Sequence, residues 1–569
     1  MAPPPVMART AIGVIDASWS VITVGVRCEE DPMADVALPG SIEPARRGPN
    51  LDQGFNPLTA IIFLGVVTAG ILFVAYSIYA DIGATDTKVT SYLPFILLFV
   101  ALMIALGFEF VNGFHDTANA VATVIYTRSL PANIAVVWSG MFNLLGVLWS
   151  SGAVAFGIVS LLPVELILQV GSSAGFAMVF ALLIAAIIWN LGTWSFGLPA
   201  SSSHTLIGSV IGVGITNALL HGRSGTSGVD WTQATSIGKA LLFSPIFGFA
   251  LAGLLLLAVK FLIPSKELFA EPKGDQPPPA WIRGILILTC TLVSFFHGSN
   301  DGQKGMGLIM LILIGTVPTA YALNRAMPAS QVAAFEQNSQ AASALINAKA
   351  AGYNVIGDPR PAVTQYVAQH QINDGTFPSL AVLVKEISQQ VNQYGSIAKM
   401  PTDLIGNTRN DMYLVSEAIR FLTKDKAADL SAQDLGTLNA YKGSLDNATK
   451  FIPYWVKIVV AIALGLGTMI GWKRIVVTVG EKIGKTHLTY AQGACAEITA
   501  AATIAAADGY GLPVSTTHVL SSGIAGTMAA NGSGLQWATI RNIIMAWVLT
   551  LPAAMALSGT LYFIFSHLF

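Results

Sequence analysis

Long apolar runs separated by short polar segments dominate the chain after residue 57. Several of them carry no charge over about 20 positions, which is the length that an α-helix needs to cross a bilayer. The runs lie at about 58–79, 93–124, 133–162, 173–196, 200–220, 236–263, 282–317, 453–471, 486–508, 514–531 and 542–565. Since some runs exceed one span, they predict roughly 11 to 13 membrane-inserted segments, counting half-helices that enter the membrane without crossing it.

Residues 318–452 interrupt this apolar pattern. The segment is rich in Ala, Gln, Asn and Ser and carries charges of both signs. Its stretches 330–350 and 410–423 have helical periodicity and good helix formers. This composition predicts a small helical domain or hairpin outside the membrane.

Composition supports the same class of protein. Only 11% of the residues are charged, against roughly 25% in soluble domains, so we expect an all-α polytopic membrane protein surrounded by lipid. The chain has no nucleotide-binding, nucleophile-elbow or metalloprotease motif. We therefore expect no enzymatic activity, no resident cofactor, no ATP-driven step and no nucleic-acid partner.

One motif occurs twice inside the apolar part. Residues 197–205 read GLPASSSHT, and residues 511–519 read GLPVSTTHV. Gly and Pro break a helix, and Ser or Thr directly afterwards caps a new one. Each copy therefore predicts a half-helix that starts inside the membrane with hydroxyls and unpaired N–H groups, an arrangement that attracts anions. The alternative is a proline kink with hydroxyls bonded back to the helix, but the repetition of the whole string favours an anion site.

A second motif pair precedes the first. Residues 112–120 read NGFHDTANA, and residues 297–305 read HGSNDGQKG, so Asp116 corresponds to Asp301. Asp116 is 81 residues from Gly197, whereas Asp301 is 210 residues from Gly511. The polar segment 318–452 accounts for this difference, which indicates two related halves with an insertion in the second.

The two aspartates are candidates for a coupling-ion site, because carboxylates inside a membrane are costly and usually functional. A structural ion pair of Asp301 with Lys304 is the alternative for that residue. Asn119 and Lys304 each follow an aspartate by three positions and face the same side of a helix. His115 is either a pH-sensitive group or a hydrogen-bonding helix residue. A bound cation or proton would offset the repulsion between the carboxylates and an anion, which is the electrostatic basis of symport.

Loop charges predict the orientation. Residues 472–486 carry Lys473, Arg474, Lys482 and Lys485 against one acid, so this loop is expected in the cytoplasm. The span 453–471 then puts the insertion outside, and the two halves enter the membrane from opposite sides. This is the inverted-repeat architecture of secondary transporters.

At these four motifs the chain resembles the PiT inorganic phosphate transporter family, and most closely its bacterial Pit branch, over about residues 92–567. The resemblance implies phosphate uptake by cation symport, a homodimer and an inverted repeat. The first family motif usually has Asn-Asp, whereas here His115 precedes Asp116. This replacement is familiar in the bacterial branch, which is associated with proton-coupled uptake of neutral metal–phosphate.

We therefore expect an inner-membrane phosphate symporter that is proton-coupled and carries a divalent metal with phosphate. Sodium coupling and another tetrahedral oxyanion are the alternatives. The residues expected to bind phosphate are Ser201, Ser202, Ser203, Ser515, Thr516, Thr517, Asn119, Asn300 and Lys304, and those expected to bind the coupling ion are Asp116, Asp301 and His115. A channel, a membrane hydrolase that uses the Asp pair and a receptor that binds through the insertion remain rival functions.

The expected organisation has seven parts. They are a disordered tail (1–57), an additional span (58–80), a first repeat (92–263), a cytoplasmic linker (264–281), the first part of a second repeat (282–317), an inserted periplasmic helical domain (318–452) and the rest of the second repeat (453–567).

Overall fold

The computed structural model describes residues 57–85, 93–116, 118–162, 172–272, 276–350, 357–425 and 428–568, with single positions at 49, 51, 167, 274 and 355. The predicted tail therefore lies almost wholly outside the described residues. Within these ranges the regular structure is helical, apart from a single β-bridge between Gly484 and Leu535.

The helices follow the apolar runs closely. In the described ranges they are α1 (Pro57–Gly83), α2 (Leu93–Asp116), α3 (Ala118–Tyr126), α4 (Ala132–Trp149), α5 (Ala153–Val159), α6 (Ser173–Ser195), α7 (Ser202–Leu220), α8 (Trp231–Leu262), α9 (Ala280–Thr316), α10 (Pro318–Tyr321), α11 (Ala329–Lys349), α12 (Arg360–Gln369), α13 (Thr376–Tyr394), α14 (Thr402–Leu422), α15 (Ala432–Thr449), α16 (Tyr454–Thr468), α17 (Lys473–Glu481), α18 (Tyr490–Gly509), α19 (Thr516–Asn531) and α20 (Trp537–Leu568).

Eight helical stretches of the described chain are long and apolar enough to cross a membrane, or nine if the bent pair of α15 and α16 is one span. The chain is therefore a multi-pass membrane protein. The expected 11 to 13 segments included α18 and α19, which are helical where predicted but are not among the eight. α18 contains Glu497 and Asp508, and α19 has only 16 residues.

The helix that starts at the first GLP motif is longer than a half-helix. α7 has 19 residues and qualifies as a candidate span by itself. The Gly-Leu-Pro break separates two complete helices, α6 and α7, because the apolar run continues uninterrupted after residue 200. What fits the prediction is the start of each helix, since the first two residues of both α7 and α19 are buried.

Packing between the two halves is reciprocal. α7 of the first half packs on α20 of the second, and α19 of the second half packs on α8 of the first. Glycines allow both approaches: a Cβ at Gly212 would lie 2.2 Å from the Met555 carbonyl oxygen, and one at Gly526 would lie 2.0 Å from that of Phe249. These close backbone contacts join the two halves of the chain.

The polar segment folds as helices α10 to α15 against the end of α9. α11, α13, α14 and α15 pack on one another, and α14 also contacts α10. The apolar residues of this segment, such as Leu383 and Ile419, belong to the same continuous core as Leu102 and Leu311 of the membrane helices. The segment is thus closely packed against the membrane part.

Candidate functional site

The two GLP motifs have the same backbone geometry. Gly197 has φ of 64° and Gly511 has φ of 65°, a left-handed conformation that other residues adopt only with strain. In both copies the amide of the next residue donates to the carbonyl five positions earlier, which closes the preceding helix. The repeated sequence therefore specifies one helix–turn–helix geometry at two places.

Ser201 and Ser515 are the caps of the helices that follow. The Ser201 hydroxyl accepts a hydrogen bond from the His204 amide at 3.2 Å, and the Ser515 hydroxyl accepts one from the His518 amide at 3.1 Å. Both cap residues are 1% exposed. Their oxygens are thus used by their own helices, although their O–H protons can still be donated.

The Asp116 carboxylate lies between the two helix starts. Ser202 of α7 donates to its Oδ2 at 2.5 Å, and Thr517 of α19 donates to its Oδ1 at 2.6 Å. These hydroxyls come from corresponding motifs in the two halves of the chain. The helix starts thus converge on one set of anionic oxygens, here supplied by a side chain of the protein.

Asp301 forms a buried ion pair with Lys304 on α9. The Lys304 ammonium is 2.7 Å from Asp301 Oδ2, and both side chains are fully buried. Lys304 also donates to the Ser202 hydroxyl at 3.4 Å. Lys304 is therefore the counter-ion of Asp301 in this structure, and it stands beside the hydroxyl that binds Asp116.

Two histidines adjoin the aspartates. His115 Nδ1 is 3.0 Å from Asp116 Oδ1, and His297 Nε2 is 3.3 Å from Asp301 Oδ2. His297 Nδ1 is 2.9 Å from Asn143 Oδ1, and the Asn143 amide donates elsewhere, to Thr468. Because Asn143 Oδ1 accepts, Nδ1 carries a proton and a neutral His297 presents its Nε2 lone pair to the carboxylates.

Three of these side chains could hold a cation together. One ligand atom each of Asp116, His297 and Asp301 lies within 4.8 Å of the other two, and all three residues are buried. Carboxylate oxygens suit a hard cation, and an imidazole adds a preference for a transition metal or a proton. The Lys304 ammonium already neutralises Asp301, so a metal ion would compete with it.

The other predicted site residues lie around this centre. The Ser203 hydroxyl donates to the Val514 carbonyl at 2.7 Å and so joins the two motifs. Asn300 donates to the Leu512 carbonyl at 3.2 Å. Thr516 is buried, and its hydroxyl has no hydrogen-bond partner among the described residues. The side chain of Asn119 lies outside the described residues.

Sequence reasoning missed His297 and Asn143. His297 is part of a quoted motif and precedes Asp301 by four positions on one helix, so spacing alone could have linked them. Asn143 gives no such signal, because it comes from α4, more than 150 positions away in the sequence. His204 and His518, the last common residues of the GLP motifs, meet with ring centroids 4.6 Å apart.

A multi-pass helical protein with carboxylates, a lysine and paired helix starts buried between its two halves has the features of a transporter. Residues 112–558 match the model of the phosphate transporter family, and the chain belongs to that family. Proteins of this family are transporters and not enzymes.

The chain is similar to curated relatives over most of its length. It is 44% identical over 492 residues to the low-affinity inorganic phosphate transporter PitA of Escherichia coli strain K12, covering 82% of this chain and 96% of that protein. It is 30% identical to a probable low-affinity inorganic phosphate transporter of Rhizobium meliloti, covering 83% and 97%. A solved structure titled the sodium-dependent phosphate transporter aligns with a TM-score of 0.45 and 21% identity, covering 83% of this chain and all of that one.

Proposed function

We propose that the chain carries inorganic phosphate across the inner membrane by secondary active symport. The observation that supports this most directly is the double contact of Asp116 with Ser202 and Thr517. Hydroxyl donors at two facing helix starts suit a tetrahedral anion, whose oxygens point in several directions. Family membership and the names of the relatives agree with phosphate as that anion.

In this proposal the Asp116 carboxylate stands where phosphate oxygens bind. Phosphate needs the hydroxyls of Ser202 and Thr517, which Asp116 now uses. Protonation of Asp116, or a cation bound to it, weakens its hold on these donors and removes charge repulsion. Cation and phosphate then favour each other's binding, which is the coupling that symport requires.

Protons are the proposed coupling ion, and sodium is the alternative. His115 is in contact with Asp116, and His297 is in contact with Asp301, so each carboxylate has a partner that can exchange a proton with it. Phosphate accompanied by a divalent metal would enter as a neutral cargo. The group of Asp116, His297 and Asp301 offers the metal oxygen and nitrogen ligands.

Uptake of labelled phosphate into proteoliposomes with imposed gradients tests the proposal. An inward proton gradient should drive accumulation that an equal sodium gradient does not, and labelled divalent metal should enter together with phosphate. Sulfate should not compete, whereas arsenate, which has the shape and charge of phosphate, should. Accumulation driven only by sodium would replace the proton by the alternative ion, and uptake without any gradient dependence would contradict symport.

The proposed architecture is a homodimer of inverted repeats with the insertion in the periplasm. The reciprocal packing of α7 on α20 and of α19 on α8 is the contact pattern that a pseudo-two-fold axis would generate. Cross-linking of the protein in native membranes would test the dimer. Labelling from either side of the membrane, described below, would test the orientation.

A further inference from the structure

Arg409 is a buried cation that forms no ion pair with an acid among the described residues. It lies on α14 of the insertion and is 4% exposed. Its NH1 group donates to Asn410 at 3.3 Å, its guanidinium lies 4.9 Å from the centroid of the Tyr413 ring, and its Nε has no hydrogen-bond partner among the described residues. Burial lowers the pKa of this guanidinium. A buried charge in this situation is costly unless another group neutralises it.

The neighbouring acids are already used by other cations. Arg420 bonds both Glu417 and Asp230, at 2.7 and 2.6 Å. Lys442 and Lys450 bond Asp446 at 2.5 and 2.9 Å, and Lys450 is also 3.8 Å from Glu417. Together with Arg409, these residues form a cluster of four cations and three acids. The cluster therefore has one positive charge in excess. Its cations are Arg409, Arg420, Lys442 and Lys450, and its acids are Asp230, Glu417 and Asp446. The excess charge belongs to Arg409.

Arg409 lines a narrow cavity between the insertion and the membrane helices. The cavity has a volume of about 20 Å³, and its walls include Tyr413, Glu417 and Lys450 from the insertion, Ser160 next to α5, and Met310 of α9. The Glu417 carboxylate in this wall is bonded by Arg420 at 2.7 Å. A cleft of about 470 Å³ adjoins it and shares the lining residues Phe156, Ser160, Glu417 and Lys450. The cavity exceeds the roughly 10–15 Å³ that a water molecule needs, but it is too small for phosphate.

We propose that this cavity is a halide site, in which chloride neutralises Arg409 at the junction of the insertion and the membrane helices. A single monatomic anion supplies the missing charge and accepts from the free Nε of Arg409. The site is separate from the Asp116–Asp301 centre and would fasten the insertion onto α5 and α9.

Thermal unfolding of the purified full-length protein tests the site without measuring transport. Chloride or bromide should raise the Tm relative to gluconate at equal ionic strength, by on the order of 2 °C and with saturation, because a monatomic anion fits the cavity and gluconate does not. Arg409→Met should abolish this dependence. In gluconate its Tm should equal or exceed that of the wild type, because an apolar side chain of similar volume replaces an unpaired charge.

Arg360→Gln is the matched control. Arg360 pairs with Asp411, which lies on α14 like Arg409, and the Arg360 side chain is 42% exposed. This variant should keep the full halide dependence. Crystals grown in bromide should show an anomalous peak beside Arg409, a measurement that needs no variant. An absent peak, an equal halide effect in Arg409→Met, or a lower Tm of Arg409→Met in every salt would overturn the proposal.

Discussion

The Asp116 carboxylate joins three helices, α2, α7 and α19. Asp116 ends α2 and contacts His115, Ser202 of α7 and Thr517 of α19. A charged carboxylate inside a membrane protein is stable only with such partners. Since its partners come from both halves, a change in its charge alters the contact between the halves.

We expect Asp116→Asn and Asp301→Asn to reduce phosphate uptake to near background. Asparagine keeps the shape of the side chain but can neither take up a proton nor neutralise a cation. Uptake into proteoliposomes, normalised to the amount of folded protein, measures the effect. Asp403→Asn, an exposed carboxylate on α14, is the control and should transport normally. Near-normal uptake by both site variants would end the coupling-site proposal.

Thr516 allows binding to be separated from stability. Its buried hydroxyl has no partner among the described residues, so Thr516→Ala should leave the Tm unchanged. Loss of a hydrogen bond to a charged ligand, worth roughly 1.5–3 kcal/mol, should weaken phosphate binding about ten- to a hundredfold. Thr527→Ala on the same helix removes a hydroxyl bonded to Ile524 and should leave the affinity intact. Unchanged affinity in Thr516→Ala would mean that this hydroxyl does not contact phosphate.

Ser202→Ala should also weaken phosphate binding, and combining it with Thr516→Ala should be non-additive. Both hydroxyls belong to helix starts that would act on one ligand. Isothermal titration of the two single variants and the double variant provides the cycle. Strict additivity would indicate that the two residues act at separate places.

Among the elements, the Gly-Leu-Pro turns decide where the site forms. Each turn ends one helix and starts another with a serine cap, and the first hydroxyls of α7 and α19 are buried. Ser202 and Thr517 from these two helix starts both bond Asp116. Both turns need a glycine with positive φ. The surroundings of the two turns differ, because of the two only the Gly511 turn is close to α5. A Cβ at Gly511 would lie 3.2 Å from the Cβ of Ala153 on α5. A Cβ at Gly197 would have its nearest atoms at 3.6 Å.

Gly197→Ala should therefore destabilise the protein by about 1–2 kcal/mol through left-handed strain, and Gly511→Ala should destabilise it more. Tm values of the purified variants measure the order. Gly509→Ala, at the end of α18 with open space around it, should be neutral or slightly stabilising. Equal Tm values for the two turn variants would show that the contact with α5 has no energetic weight.

At the scale of the whole molecule, the proposed direction of transport depends on which side of the membrane the insertion lies. Loop charges at residues 473–485 predict that segment 318–452 lies in the periplasm. The structure packs this segment against the end of α9 but contains no membrane. Its side of the membrane therefore stays a prediction.

Ser396→Cys should react with an impermeant thiol reagent added from the periplasmic side. Lys482→Cys, exposed in the basic loop, is the opposite control and should react only from the cytoplasmic side. Both variants need a Cys28→Ser background. Cys290 and Cys495 are buried and should not react with the reagent. Labelling of Ser396→Cys only from the cytoplasm would invert the proposed topology.

Most helices could be predicted from hydropathy alone, because a membrane-spanning helix must carry its apolar surface locally in the sequence. α9 is an example, predicted over 282–317 and present as Ala280–Thr316. The turn chemistry was equally readable, since Gly, Pro and Ser act within a few residues. α7 was readable in the same way, predicted over 200–220 and present as Ser202–Leu220, although the GLP motif suggested a half-helix.

By itself, the sequence determined the class of protein, the repeated motifs and the residues able to carry the site, because hydropathy and capping act over short distances. Tertiary structure alone decided that Asp116 binds Ser202 and Thr517 and that Asn143 orients His297. It also left Arg409 Nε without a hydrogen-bond partner among the described residues. Most of these relations join residues between about 80 and 400 positions apart, and only packing of the helices determines which polar groups become neighbours.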